Sequence, residues 1–221
     1  DNKKICSYII AAAFNDDATD FNNMGDYLLY NDYNGYKVKY SYRKSKNTTK
    51  YSFKFTLSYK TTYEQELEFN IKLKKIIASL HLENKTDYQK ISKIYNYVCK
   101  NVSYDTIHCN DDDYDLKYTA YAALINGTAV CQGYTCLIYS MCKAAKIPVR
   151  IISGKSDGVS HAWNIVKIGD FYYNIDATWD SSRTYYKYFM KSNKNFSNHK
   201  RDHKYSTAKF NTIHPMSPFN Y

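Results

Sequence analysis

Apolar and polar positions alternate with two different periods along this chain, and the periods divide it into elements. Tyr51, Phe53, Phe55, Leu57 and Tyr59 alternate with Ser52, Lys54, Thr56 and Ser58, the period of a strand. Residues 36–42 read as its partner, with polar residues 43–50 as the connecting turn. Before them, residues 5–14 read as a helix and the Asn- and Asp-rich stretch that follows as a loop. After residue 60 the period lengthens. Leu67, Ile71, Ile76, Ile77 and Leu80 fit a helix over 64–80. Ile91, Ile94, Tyr95 and Val98 fit another, capped by Thr86 and running to about Lys100. Residues 118–126 predict a short helical approach to a third helix. Its stripe is Cys131, Tyr134, Leu137, Ile138, Met141 and Ala145, with one buried face expected. Thr128 is the N-cap this pattern predicts, and Pro148 the stop. The β-branched run 149–153 predicts a strand and polar residues 154–160 a loop. Two further strand-like runs flank Gly169-Asp170, which fits a two-residue hairpin turn with glycine first.

That turn sets a register. If Ile168 opposes Phe171, then Trp163 opposes Asp176 and His161 opposes Thr178. Side chains alternate faces along a strand, so His161, Trp163, Asn174, Asp176 and Thr178 share one face. His161 is then a diagonal neighbour of Asp176, within reach of longer side chains. Cys131 stands at a helix start, where backbone N–H groups and the dipole lower a thiol pKa from about 8.5 into the range of roughly 3.5–7.5. A thiol at a helix start and a histidine held by an acid are the parts that nucleophilic acyl chemistry requires. Cys131 would attack a carbonyl carbon, His161 would carry the proton, and Asp176 would fix the imidazole tautomer. The Cys131 N–H is one donor to a developing oxyanion. Tyr121, Gln132 and Trp163 are candidates for the second, and the sequence does not choose among them.

Composition narrows the partners. The 221 residues suit one large domain or one domain with an extension, and carry a formal charge of +10. Much of the excess lies between Arg183 and Lys209. Such a patch can meet an anionic polymer, but no nucleic-acid module accompanies it, and nucleic acid is not an expected partner. With 26 tyrosines the chain also has the residue that suits binding surfaces. Those two features motivate a rival reading, a non-catalytic cell-surface or glycan-binding domain. The six cysteines permit disulfides, but a chain of this length does not need them. Their spacing matches no zinc pattern. Asp111-Asp112-Asp113 lacks the alternating ligands and central glycine of a calcium loop, so 105–115 reads as an exposed acidic loop. His108 and Cys109 lie in it without an identifiable partner. Neither a metal nor a cofactor is expected. No run approaches the ~18 apolar residues of a membrane helix. The chain opens on Asp1 rather than methionine, as a processed or trimmed product would.

Three blocks in order carry a resemblance: the run from Tyr118 through Asn126-Gly127 and Cys131-Gln132-Gly133-Tyr134, then His161-Ala162-Trp163-Asn164, then Asn174-Ile175-Asp176-Ala177-Thr178-Trp179. Together they resemble the transglutaminase-like superfamily in its bacterial branch, and Tyr188-Phe189-Met190-Lys191-Ser192 is similar to a segment that often follows. The resemblance covers roughly residues 62–203. It implies an α+β, papain-like core in which a cysteine-bearing helix packs on an antiparallel sheet. It implies a Cys-His-Asp triad at Cys131, His161 and Asp176. Residues 1–60 then form an N-terminal extension of a short helix plus strands, and 61–221 the catalytic domain. The family includes cysteine peptidases, amidases and protein cross-linkers, all working through a thioester. The expected activity is therefore an amide hydrolase or acyl transferase on protein or peptide, hydrolysis slightly favoured, with cross-linking as the alternative. Bacterial relatives are often secreted or held at the cell surface, which points to an extracytoplasmic site.

Overall fold

The computed structural model describes residues 2–13 and 33–221. Helix α1 (Asn2–Ala13) is the one expected near the start, while Phe14 and the anticipated loop lie outside the described residues. Strands β1 (Tyr33–Ser45) and β2 (Thr48–Tyr59) form an antiparallel ribbon. It is longer than expected, because the polar residues taken for a turn go on pairing: Arg43 with Lys50, Lys44 with Thr49, Ser45 with Thr48. A ladder uses backbone groups, and at an exposed tip polar side chains serve it as well as apolar ones. Asn34 ties the ribbon to the rest by donating to Asp115 Oδ2 at 2.8 Å.

Helices α2 (Tyr63–Ser79) and α3 (Asp87–Asn101) both begin with a capping box, Thr62 with Gln65 and Thr86 with Gln89. After α3 comes β3 (Ser103–Tyr104), which pairs in parallel with β4 (Thr128–Ala129). The expected approach to the cysteine is a 3₁₀ turn over Asp115–Tyr118 and a π turn over Ala122–Asn126. Gly127 ends it in the left-handed region, at φ 71°.

Thr128 is not a cap. It is committed to β4, and the residue before α4 (Cys131–Ala144) is Val130, which supplies no side-chain cap. Nor does α4 bury a single stripe. Every residue from Gly133 to Cys142 is buried, because the helix lies among α2, α3 and the sheet. Its small polar side chains stay satisfied within the helix: Thr135 donates to Gln132 O and Ser140 to Cys136 O. Gly133 has no room for a side chain. A Cβ there would meet Ala129 Cβ at 2.6 Å and the carbonyls of Lys117 and Thr119 at 2.9 Å. Gly133→Ala should therefore cost about 1–3 kcal/mol in urea unfolding. A loss within experimental error would mean that the 117–119 segment yields without strain.

The main sheet comprises β5 (Val149–Ser156), β6 (Val159–Ile168), β7 (Phe171–Ile175) and β8 (His199–Arg201), all antiparallel in the order β7-β6-β5-β8. A one-turn helix, α5 (Ala177–Asp180), follows β7, and α6 (Ala208–Ile213) lies near the C-terminus. The loop expected at 154–160 is instead a hairpin. Asp157 and Gly158 take φ of 49° and 85°, as a type I′ turn needs, and both strands run up to it. The Gly169-Asp170 hairpin holds the expected register from Ile168↔Phe171 to Asn164↔Ile175. There the pairing stops. Asp176 leaves the sheet, donating its N–H to Tyr188 O and capping α5, so the Trp163–Asp176 and His161–Thr178 pairs do not form. One core joins α2, α3, α4 and one side of the sheet. A second gathers Ile152, Trp163, Ile165 and Tyr172 with Tyr188, Phe196, Tyr205 and Phe210. The result is the expected α+β arrangement of a cysteine-bearing helix on an antiparallel sheet.

Candidate active site

The start of α4, β3, the β5–β6 turn and α5 converge on a cleft of about 710 Å³. Cys131, His161, Tyr104, Ser156, Thr178 and Trp179 are among the residues that wall it. Cys131 is the first residue of α4, so its N–H has no acceptor within the helix. His161 comes from β6, and its Nε2 lies 2.7 Å from Asp176 Oδ2. Nδ1 is thereby left as the ring nitrogen for the Cys131 thiol, the other hydrogen-bond partner acting on this imidazole. Asp176 is buried and saturated. Its Oδ1 accepts the N–H groups of Thr178 at 3.0 Å and Trp179 at 3.3 Å, and its Oδ2 faces His161. Cys131, His161 and Asp176 are thus brought together around one cleft.

Electrostatics favours charge on this group. Burial pulls the His161 pKa down, but its hydrogen bonds to Asp176 and Cys131 and their negative charges outweigh it and push it up to about 10. Burial alone would raise the Asp176 carboxyl, yet its bonds to His161 and His199 hold it below the usual carboxylate value. The His161 contribution to stability is complete below its ordinary value of 6.5 and is lost as pH rises toward about 10. The Asp176 contribution is complete above its ordinary value of 3.8 and is lost as pH falls further. The melting temperature should therefore fall progressively above pH 6.5. In Cys131→Ala the fall should finish at lower pH, because the contact with Cys131 no longer helps to raise the His161 pKa. Superimposable alkaline curves for the two proteins would show that the sulfur does not act on the ring.

The other expected donors lie elsewhere. The Trp163 indole donates to Asn174 Oδ1 at 3.2 Å, confirming their shared face but burying Trp163 in the second core, two residues deeper along β6 than His161. The Tyr121 hydroxyl points toward α2 and donates to Glu68 Oε2 at 2.8 Å. Gln132 adjoins Cys131 on α4 without lining the cleft. Periodicity and spacing did not single out Tyr104 as a site residue, yet it walls the cleft close enough for the Cys131 charge to raise its phenol pKa, after burial itself.

The acidic loop is also more ordered than its composition suggests. Buried Asp105 accepts the N–H groups of Ile107 and His108 and pairs with the His108 ring at 3.0 Å, so His108 does have a partner. Lys117 reaches back, and its buried ammonium bonds the carbonyls of His108, Cys109 and Asp111. The Lys117 carbonyl in turn accepts Val130 N–H at 3.1 Å, fixing the residue before Cys131. All six cysteines are free thiols. Among the described residues His161, Asp176 and His199 bring three donor atoms within 4.8 Å. Two ring nitrogens there share one carboxylate oxygen at hydrogen-bonding distance, an arrangement of protons rather than of ligands around an ion. No helix of the described residues is long and apolar enough to cross a membrane.

The family model of the transglutaminase-like superfamily matches residues 74–177, from α2 through the Cys131 helix and His161 to the residue after Asp176. Residues 74–177 belong to the transglutaminase-like superfamily. Kyphoscoliosis peptidase of Homo sapiens is 24% identical over 131 residues, 54% of this chain and 20% of its own length. Its Mus musculus counterpart is 24% identical over 121 residues, 49% of this chain and 18% of its own. The chain thus spans about a fifth of the length of the curated relatives it matches. Among solved structures, a transglutaminase (TGase) crystal structure overlays 75% of this chain and 49% of its own at TM-score 0.48 and 21% identity. Legionella pneumophila LapG overlays 68% of this chain and 87% of its own at TM-score 0.42 and 13% identity. The transglutaminase-like match ends before residues 188–205, which supply Tyr188, Phe196 and Tyr205 to the second core and His199 to the carboxylate.

Proposed function

We propose that this chain is a cysteine-nucleophile amide hydrolase acting on protein or peptide. The observation that carries the reading is that Cys131 and His161 meet at one open cleft with Asp176 buried behind the His161 ring. The thiolate attacks the carbonyl carbon of a substrate amide. The developing oxyanion receives the Cys131 N–H, and the hydroxyl of Tyr104, which lines the same cleft, is the second donor. His161 delivers its proton to the amide nitrogen, the C–N bond breaks and the amine leaves a thioester on Cys131. Water then attacks the thioester as His161 takes its proton; a carboxylate departs, and thiolate and imidazolium are restored. Asp176 keeps Nε2 protonated throughout, so Nδ1 does the proton carrying. Residues 61–221 house this site and residues 1–60 extend it, and its place of action is extracytoplasmic.

A lysine amine in place of water would give cross-linking. The printed name of the human and mouse relatives, a peptidase, favours water. Incubation with casein and a fluorescent amine decides. Peptide release that Cys131→Ala abolishes supports hydrolysis, and amine incorporation supports transfer. Retention on an anionic glycan that survives Cys131→Ala and falls steeply with salt, without turnover of casein, would replace both with the binding-domain reading.

A further inference from the structure

His199 lies outside every motif described above, yet it touches the same oxygen as His161. Its Nε2 is 2.9 Å from Asp176 Oδ2, while His161 Nε2 stands at 2.7 Å. Its other nitrogen, Nδ1, is 3.0 Å from Asn198 Oδ1. The Asn198 amide is oriented by its own donors: Nδ2 lies 3.3 Å from both Asp157 Oδ2 and the Tyr188 hydroxyl. Turning it over would put Oδ1 against a carboxylate. His199 therefore faces an acceptor on each side, and satisfying both takes two N–H groups, which is an imidazolium. The side chain is wholly buried. Phe196 stacks on it with ring centroids 3.9 Å apart, and Trp163 and Tyr188 pack at steep angles to it with centroids at 5.0 and 5.5 Å. The face of Phe196 stacked on the ring is a contact that favours a cation.

We propose that His199 is a positioning residue of the Cys131 site, a buried imidazolium that braces Asp176 from behind and holds Oδ2 against His161. The inference rests on the nucleophile reading above for its purpose but not for its geometry. Thiolate, His161 imidazolium, Asp176 carboxylate and His199 imidazolium then alternate in sign. A lone carboxylate shared with one imidazolium would leave the thiolate in net excess; the second cation restores neutrality in a buried setting, where unpaired charge is costly. The charged groups around His199 are few. Asp176 and His161 face it directly, the latter with ring centroids 5.5 Å apart. Asp157 reaches it only through Asn198, and Cys131 acts from the far side of His161. Arg201, further along β8, is turned to Asn174 and Asn193. The close approach of β8 to β5 that places His199 depends on Gly154, where a Cβ would collide with backbone at Lys200 and Arg201.

His199→Gln keeps an amide donor and removes the charge. The test is the pH dependence of Cys131 alkylation by iodoacetamide, which needs no substrate. Removing a cation makes the thiolate harder to form, so the midpoint of the rise in rate should move up by about one pH unit, a tenfold slower reaction at fixed pH on the rising limb. An unmoved midpoint in a folded variant overturns the proposal. In the wild-type protein, ¹⁵N shifts of the histidine rings should show both His199 nitrogens protonated at neutral pH; a bare nitrogen overturns it equally, and this measurement stands if the variant does not fold. Slow alkylation of wild-type Cys131 would defeat the nucleophile reading by itself, and the ring shifts would then decide His199 alone.

Discussion

Cys131→Ala should abolish turnover, with a fall on the order of 10⁶-fold in kcat, the scale seen when a nucleophile that works as a unit with its base is removed. Nothing else around the cleft can replace it. Cys136 and Cys142 are buried on the same helix, and burial pushes the Cys142 thiol up to about 12. Burial likewise raises the Cys99 thiol, with the charges of Asp180 and Asp176 adding to the effect. The contrast is measurable without a substrate. Iodoacetamide at neutral pH, followed by peptide mass mapping, should label Cys131 faster than Cys136 or Cys142. Mapping matters because Cys109 is also partly exposed. The alanine variant should fold and melt much like the wild type near pH 6, since the side chain is small and lies at the cleft. Full turnover in Cys131→Ala, or labelling of Cys131 no faster than of its buried neighbours, would end the nucleophile reading.

Asp176→Asn should cost on the order of 10⁴-fold in kcat, and for a reason visible in the hydrogen bonds. Oδ1 accepts two backbone N–H groups at the start of α5, so the amide oxygen of asparagine takes that side. Its NH₂ then faces His161 Nε2, donor against donor. The ring escapes by moving its proton to Nδ1, the nitrogen that must accept the proton of Cys131. The base is lost although every atom is nearly in place. His199 meets the same NH₂, so the change also unpairs two buried rings and should lower stability by about 3–5 kcal/mol. Chemical denaturation reads the second effect and alkylation kinetics the first. A variant as stable and as reactive as the wild type would show that the carboxylate charge is idle.

How much of this was readable beforehand depended on what each residue answers to. The β6–β7 register was legible because period-two alternation met a glycine-first turn, and one slipped residue would have inverted every side chain. Yet the expected pairing of Trp163 with Asp176 was wrong. Periodicity cannot show that Asp176 stops being a strand residue and becomes a cap, since an acid suits both roles. Asp157-Gly158 is a turn signal masked by the polar residues around it, which read as a loop. Thr128 looked like a cap because local propensity favours one; pairing with Ser103, from well upstream, outweighed it. His199 left no trace in pattern or spacing. It sits on a strand of three residues within an irregular, basic stretch, and only tertiary pairing with β5 brings it to Asp176. Arg201 misled in a related way, as a cation of the basic stretch that the fold turns inward to Asn174.

The second core has a bearing on how far the chain can be shortened. Trp163, Ile152 and Tyr172 present one face of the main sheet, and Tyr188, Phe196, Tyr205 and Phe210 are the side chains that shelter it. A fragment ending at residue 177, where the family match stops, would leave that face wet and Asp176 with a single imidazole. Such a piece would carry Cys131, His161 and Asp176 and still be unable to keep them in place.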